Sequence, residues 1–165
     1  MTLVEVTNLL EYIAKNQPNI NTVVGSGDIF DLNKENYQVR YSAFCATQRT
    51  HTFDENFVTF NFTLYYVDRL TTDLRNKIEV QSTAVDTLTN IYKTIKNNVD
   101  FLEINAGEIV TFTEKFTAEC AGAYMNVGII TSYESLCAIV KQEFGEFAPE
   151  PYSDDWFKWV VKRLY

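Results

Sequence analysis

A single histidine, His51, is all the imidazole in the 165 residues, and most acid–base and nucleophilic chemistry is excluded with it. A triad needs a base beside its nucleophile, whereas His51 stands in a polar turn, Thr50-His51-Thr52, where an exposed loop residue is expected. Glycine is scarce too, at six. Neither a nucleophile elbow nor a phosphate-binding or dinucleotide-binding glycine loop can be found, and Gly25-Ser26-Gly27 reads as a turn. The three cysteines, Cys45, Cys120 and Cys137, are odd in number and widely spaced, which argues against a disulfide framework. With no CxxC pair and one histidine, a zinc site is not expected either. Buried thiols of a reducing cytosol are the expectation.

Positive charge is the next shortage. Lys and Arg total 14 against 22 Asp and Glu, a net charge of −8, and no basic run exceeds Lys162-Arg163. Such a chain is repelled by phosphate backbones, so nucleic-acid binding as its main task is disfavoured. No apolar run approaches the ~18 residues of a membrane span. Met1 to Ile13 carries Glu5 and Glu11 without a basic region, so no secretory signal is expected there. Two acidic patterns deserve weighing. Asp31, Asn33 and Glu35 alternate like the start of a calcium loop, but Asn36 replaces the glycine and Ser42 the closing glutamate, so a solvated turn is expected. Glu114 and Glu119 are candidates to face each other across a tight hairpin as an acid–base pair; surface carboxylates are the default. No metal, no cofactor and no enzymatic activity are expected.

What the chain has in plenty is apolar and aromatic mass: 46% apolar residues, with twelve Phe and ten Tyr, enough to build one core without staples. Leu3, Val6, Leu9, Leu10 and Ile13 fall at helical spacing, with Thr2 as cap and Pro18 as stop. Tyr37 to Thr47 reads as a strand. In Phe57 to Val67, the set Val58, Phe60, Phe62, Leu64 and Tyr66 alternates with a mostly polar set, which predicts the first as the core face. From Thr72 to Asn97 the period becomes helical, with Leu74, Ile78, Val85, Leu88, Ile91, Tyr92 and Ile95 as the apolar stripe. Ile109 to Phe116 and Ala121 to Thr131 read as two more strands, with Gly122 and Gly128 marking bulges or close backbone approach. The pattern predicts an α+β fold: an antiparallel sheet of about four strands with helices packed on one face, and a C-terminal helical extension.

That extension, 132–165, is expected to stand apart from the domain 1–131. Ser132 caps a short helical pattern, Pro149 and Pro151 mark a linker, and Trp156, Phe157, Trp159, Val160, Val161 and Leu164 form a second amphipathic helix pattern. Its apolar arc is wider than one contact surface needs, and Trp156, Phe157, Trp159, Val160 and Tyr165 are the candidate docking residues for a partner surface. Folding back on the same domain is the alternative.

The order of motifs Gly27-Asp28-Ile29-Phe30-Asp31-Leu32, Phe60 to Asp68 (FNFTLYYVD), Asn76 with its helix, Phe112-Thr113-Glu114-Lys115-Phe116 and Cys120-Ala121-Gly122 resembles a family of small tail terminator or head–tail connector proteins from crAss-like and related phages of gut Bacteroidetes. The resemblance covers about Val4 to Thr131. It implies a structural virion protein, a six- or twelve-fold cyclic homo-oligomer in the tail or at the head–tail junction. Such a protein meets neighbouring tail or connector proteins and encircles DNA that passes without specific binding, with residence in the host cytoplasm before assembly. The alternative is a soluble phage-encoded binding module or inhibitor of one host protein.

Overall fold

A computed structural model describes residues 1–24, 28–29, 32, 39–54, 56–99, 102–115 and 118–132. The chain opens with helix α1 (Leu3–Lys15), and the local chemistry explains its start. Thr2 accepts a hydrogen bond from the Glu5 amide, and the Glu5 carboxylate accepts one from the Thr2 amide. This reciprocal pair satisfies two donors that a helix start leaves orphaned. Strands β1 (Thr22–Val24), β2 (Ala43–Gln48), β3 (Thr52–Phe53) and β4 (Phe57–Arg69) follow, then helix α2 (Lys77–Asn98) and strands β5 (Glu103–Lys115) and β6 (Glu119–Ser132).

The strands form one six-stranded sheet in the order β1-β2-β4-β6-β5, with β3 added to β4. This corrects the expected antiparallel sheet of about four strands. The sheet is mixed, because β1 runs parallel to β2, with Thr22 opposite Ala43. A parallel neighbour requires a long crossover, and residues 25–42 provide the chain length for it. At three and two residues, β1 and β3 are too short to show a period in sequence. The expected extension falls beyond Ser132, outside the described residues.

One face of the sheet is covered by both helices. Phe60, Phe62, Leu64 and Tyr66 of β4 and Ala123, Met125, Val127 and Ile129 of β6 are buried there against Val6, Leu9, Leu10 and Ile13 of α1 and Leu88, Ile91 and Ile95 of α2. The alternation expected for β4 thus describes its core face, with Val58 only half-buried. Helix α2 starts later than its pattern predicts. The Asp73 carboxylate accepts from the Thr71 hydroxyl at 2.8 Å and the Arg75 amide at 3.3 Å, and the Asn76 side-chain oxygen Oδ1 accepts from the Thr71 backbone amide at 2.9 Å. These bonds hold a turn in which Leu74 sits at φ 56°, and short polar side chains of this kind compete with helix. Leu74, expected in the stripe, is 45% exposed in this turn, and Ile78, also expected there, is 74% exposed in the first turn of α2.

The opposite face is only half covered. Val24, Ala43, Cys45, Val67 and Cys120 are buried beneath Ile29 and Leu32, with Val39 and Tyr41 packed against them. All of these covering residues come from the β1–β2 connection. Towards the other end of β4, β6 and β5, no element among the described residues covers the face. Strand β5 carries a bulge between Ala106 and Ile109, where Gly107 and Glu108 oppose the single residue Asn126.

The glycine expectation resolves into one close approach on β6. Gly122 pairs with Val67 and Phe112, and a Cβ there would run into the Tyr66 carbonyl oxygen with the Phe112 ring tip 3.2 Å away. The obstacle is backbone of the central strand and has no room to give. Gly122→Ala should therefore destabilise the fold by about 2–3 kcal/mol in urea unfolding followed by circular dichroism, whereas Gly107→Ala, whose nearest neighbour is 3.7 Å away, should cost far less.

Candidate functional site

The open half of the outer face is built from the polar members of each strand's alternation. Thr59, Asn61, Thr63 and Tyr65 come from β4, Tyr124, Asn126 and Gly128 from β6, and Asn105 from β5. In the register, Gly128 lies between Asn61 on one side and Asn105 on the other. The middle of that row has no side chain, so a trough of about 580 Å³ opens along the sheet. The Asn61 amide group donates to the Thr50 carbonyl at 2.8 Å, which anchors one wall.

Arg49, just past β2, is the one charged residue among the described lining of this trough. Its backbone amide donates to the Asn61 carbonyl at 2.8 Å and its Nε to the Thr63 hydroxyl, also at 2.8 Å. Thr63 is fully buried, and its hydroxyl donates a hydrogen bond to Asn126 Oδ1 at 2.7 Å. The guanidinium is thus held at the stem by a chain of two hydrogen bonds whose acceptors are both neutral, while Arg49 as a residue stays exposed. A fixed, planar, permanently charged fork of this kind is suited to carboxylate recognition.

Arg49 also borders a second cleft of about 310 Å³ with Tyr65, Phe112, Tyr124, Thr47, Asp28 and Glu114. Its three rings form a cluster, with centroids 5.7 Å apart for Tyr65–Tyr124, 6.3 Å for Tyr65–Phe112 and 6.4 Å for Phe112–Tyr124. Partial burial pushes the Tyr65 phenol above its ordinary pKa of 10.0; the Arg49 charge pulls the other way, and Asp28, Cys45 and Tyr124 add to the rise. Trough and cleft meet at Arg49, the first lined mostly by amides and the second by aromatic rings.

The residues singled out in sequence are placed as follows. His51 is not an exposed loop tip. Its Nδ1 accepts from the Asn61 amide at 3.2 Å, and its ring stands edge-on to Phe60 at 5.4 Å and tilted to Phe62 at 6.1 Å, so it is half-buried as a structural side chain. Glu114 and Glu119 do not face each other: Glu114 opposes Cys120 and Glu119 opposes Lys115, which puts them on adjacent rungs and opposite faces. Only Glu114 reaches the cleft. Cys45 and Cys120 are buried and not disulfide-bonded, and burial raises the Cys120 thiol pKa. Cys137, Asp31, Asn33, Glu35, Gly25 to Gly27 and the candidate docking residues Trp156, Phe157, Trp159, Val160 and Tyr165 lie outside the described residues.

Arg49, Thr63 and Asn126 were not singled out by sequence reasoning. The signal was present in the two long strands, where Asn61 and Thr63 of one and Asn126 and Gly128 of the other hold the positions opposite the core set, but a polar alternation does not say that the face stays uncovered. Among the described residues no helix is long and apolar enough to cross a membrane. No known family model matches the chain, and no curated protein matches it either.

Tyr65 gives the site a pH signature. A phenol whose folded pKa is raised contributes stability that is fully present below 10.0, its unfolded value, and is lost as pH climbs through the folded value. Tyr65→Phe removes the ionisable group, so its melting temperature should fall less than that of the parent between about pH 9 and about pH 11. An equal fall in both proteins would assign the alkaline loss elsewhere.

Proposed function

We propose that this chain is a non-enzymatic structural protein of a phage virion, which docks to copies of itself and to neighbouring tail or connector proteins as a closed ring around the DNA conduit. The observation that supports this reading most is the half-open sheet face, with a pinned guanidinium beside a three-ring cluster. Such a surface favours contact with another polypeptide: aromatics supply area, and arginine supplies directed hydrogen bonds.

Further apolar surface lies elsewhere. Phe53 and Phe57, at the β3–β4 hairpin, are 83% and 52% exposed, and Ile78 at the start of α2 is 74% exposed. Large side chains left uncovered at several places suit a subunit with more than one neighbour. A ring formed head to tail uses two different patches on each subunit, and this chain offers more than one. The net charge of −8 supports passage of DNA without adhesion.

Native mass spectrometry of the purified chain, alone and mixed with adjacent tail or connector proteins, should show a cyclic multimer of about six or twelve copies. A strictly monomeric protein in both preparations would overturn the ring, and capture of one host protein by that monomer would favour a host-directed binding module instead. In a mobility-shift assay at ~0.15 M salt, where screening acts over ~8 Å, the free protein should leave duplex DNA unretarded. Tight, salt-sensitive retention would contradict the conduit reading.

A further inference from the structure

We propose that the Arg49 trough is the receiving half of the subunit contact, and that it takes the acidic segment 145–155 of a neighbouring copy. This rests on the ring reading and specifies which two patches meet. The first argument is charge. The trough is lined by amides, hydroxyls and one cation, Arg49. The segment 145–155 carries Glu146, Glu150, Asp154 and Asp155 and no basic residue. With Nε held by Thr63, the Nη groups of Arg49 make no hydrogen bond to the described residues and are the donors left for a carboxylate.

The second argument is the neighbouring cleft. An occupant of this surface needs an aromatic or apolar side chain close in sequence to its carboxylate, because Arg49 borders both the trough and the Tyr65–Phe112–Tyr124 cluster. Phe147 follows Glu146, and Tyr152 precedes Asp154 by two positions. The third argument is reach. The described chain ends at Ser132, paired with Phe57 at the open end of the same two strands that floor the trough. Residues 133–144 can span at most about 40 Å, which gives 145–155 a tether long enough to leave its own subunit. A donor segment and a receiving trough are unlike patches, as a head-to-tail ring requires.

The experiment uses the full chain with a photo-crosslinking amino acid in place of Asn105, an exposed trough residue on the edge strand, in a preparation that mixes ¹⁴N- and ¹⁵N-labelled copies. Circular dichroism checks that the substituted chain keeps its fold, and a second probe at Thr59 covers the opposite wall. Crosslinked peptides joining either probe to 145–155, in mixed-isotope pairs, are the expected result. Arg49→Glu should lower their yield at least about tenfold, as loss and reversal of a charge-assisted contact implies, while Arg49→Lys should retain part of it. Same-isotope pairs alone would show the segment on its own subunit and overturn the proposal, as would crosslinks confined to other segments or another protein. If native mass spectrometry shows the ring and these crosslinks are missing, the proposal fails and the ring stands; a monomer removes both.

Discussion

The pairing of β4 with β6 is the constraint on which the rest of this structure depends. From Phe57 opposite Ser132 to Arg69 opposite Cys120 the two strands run without a bulge, and each rung assigns two side chains to a face. Because the side-chain period is two, sliding the pair by one residue would carry Phe60, Phe62, Leu64 and Tyr66 to the outer face and bring Asn61 and Thr63 under the helices. Burying those polar groups without partners would cost several kcal/mol. The two helices therefore have one sheet surface to pack on, and the outer face inherits whatever polarity is left. Gly122 belongs to the same constraint: the ladder tolerates no side chain where the Tyr66 carbonyl comes close.

Where the sequence is legible, a period is long enough to outweigh local chemistry. Helix α1 is announced by five apolar residues, a capping Thr2 and a stop, and the core faces of β4 and β6 by uninterrupted alternation. Helix α2 is legible from Lys77 onward but its start is not, because Asp73 and Asn76 hold a turn that the helical spacing of Leu74 conceals. The sheet was read as smaller and purely antiparallel because β1 and β3 fall below the length at which alternation means anything. Parallel pairing of β1 with β2 joins segments separated by a long connection, and no local pattern encodes such a contact.

The candidate site was less legible than the fold, for a related reason. Arg49 stood in what looked like a polar link between strands, and its meaning comes from Thr63 and Asn126, which reach it only through strand pairing. His51 drew attention as the lone histidine and proves to be structural packing against Phe60 and Phe62. Cys45 and Cys120, far apart in sequence, share one buried cluster beneath the β1–β2 connection. The division of the outer face between that cluster and the open trough follows from how far the connection reaches.

The bulge at Gly107 and Glu108 has a consequence for polymer topology. Among the described residues, strand β5 is the long margin of the sheet, and a flat margin of that length invites another strand to continue it. Here the margin is twisted by the bulge and carries exposed Glu103, Glu108 and Glu114. Two copies brought margin to margin would set these carboxylates against one another. Pairing one β5 with another would stop at two copies, whereas pairing β5 with the unlike edge of a neighbouring sheet has no natural last subunit. A chain whose longest described margin resists extension is steered away from both.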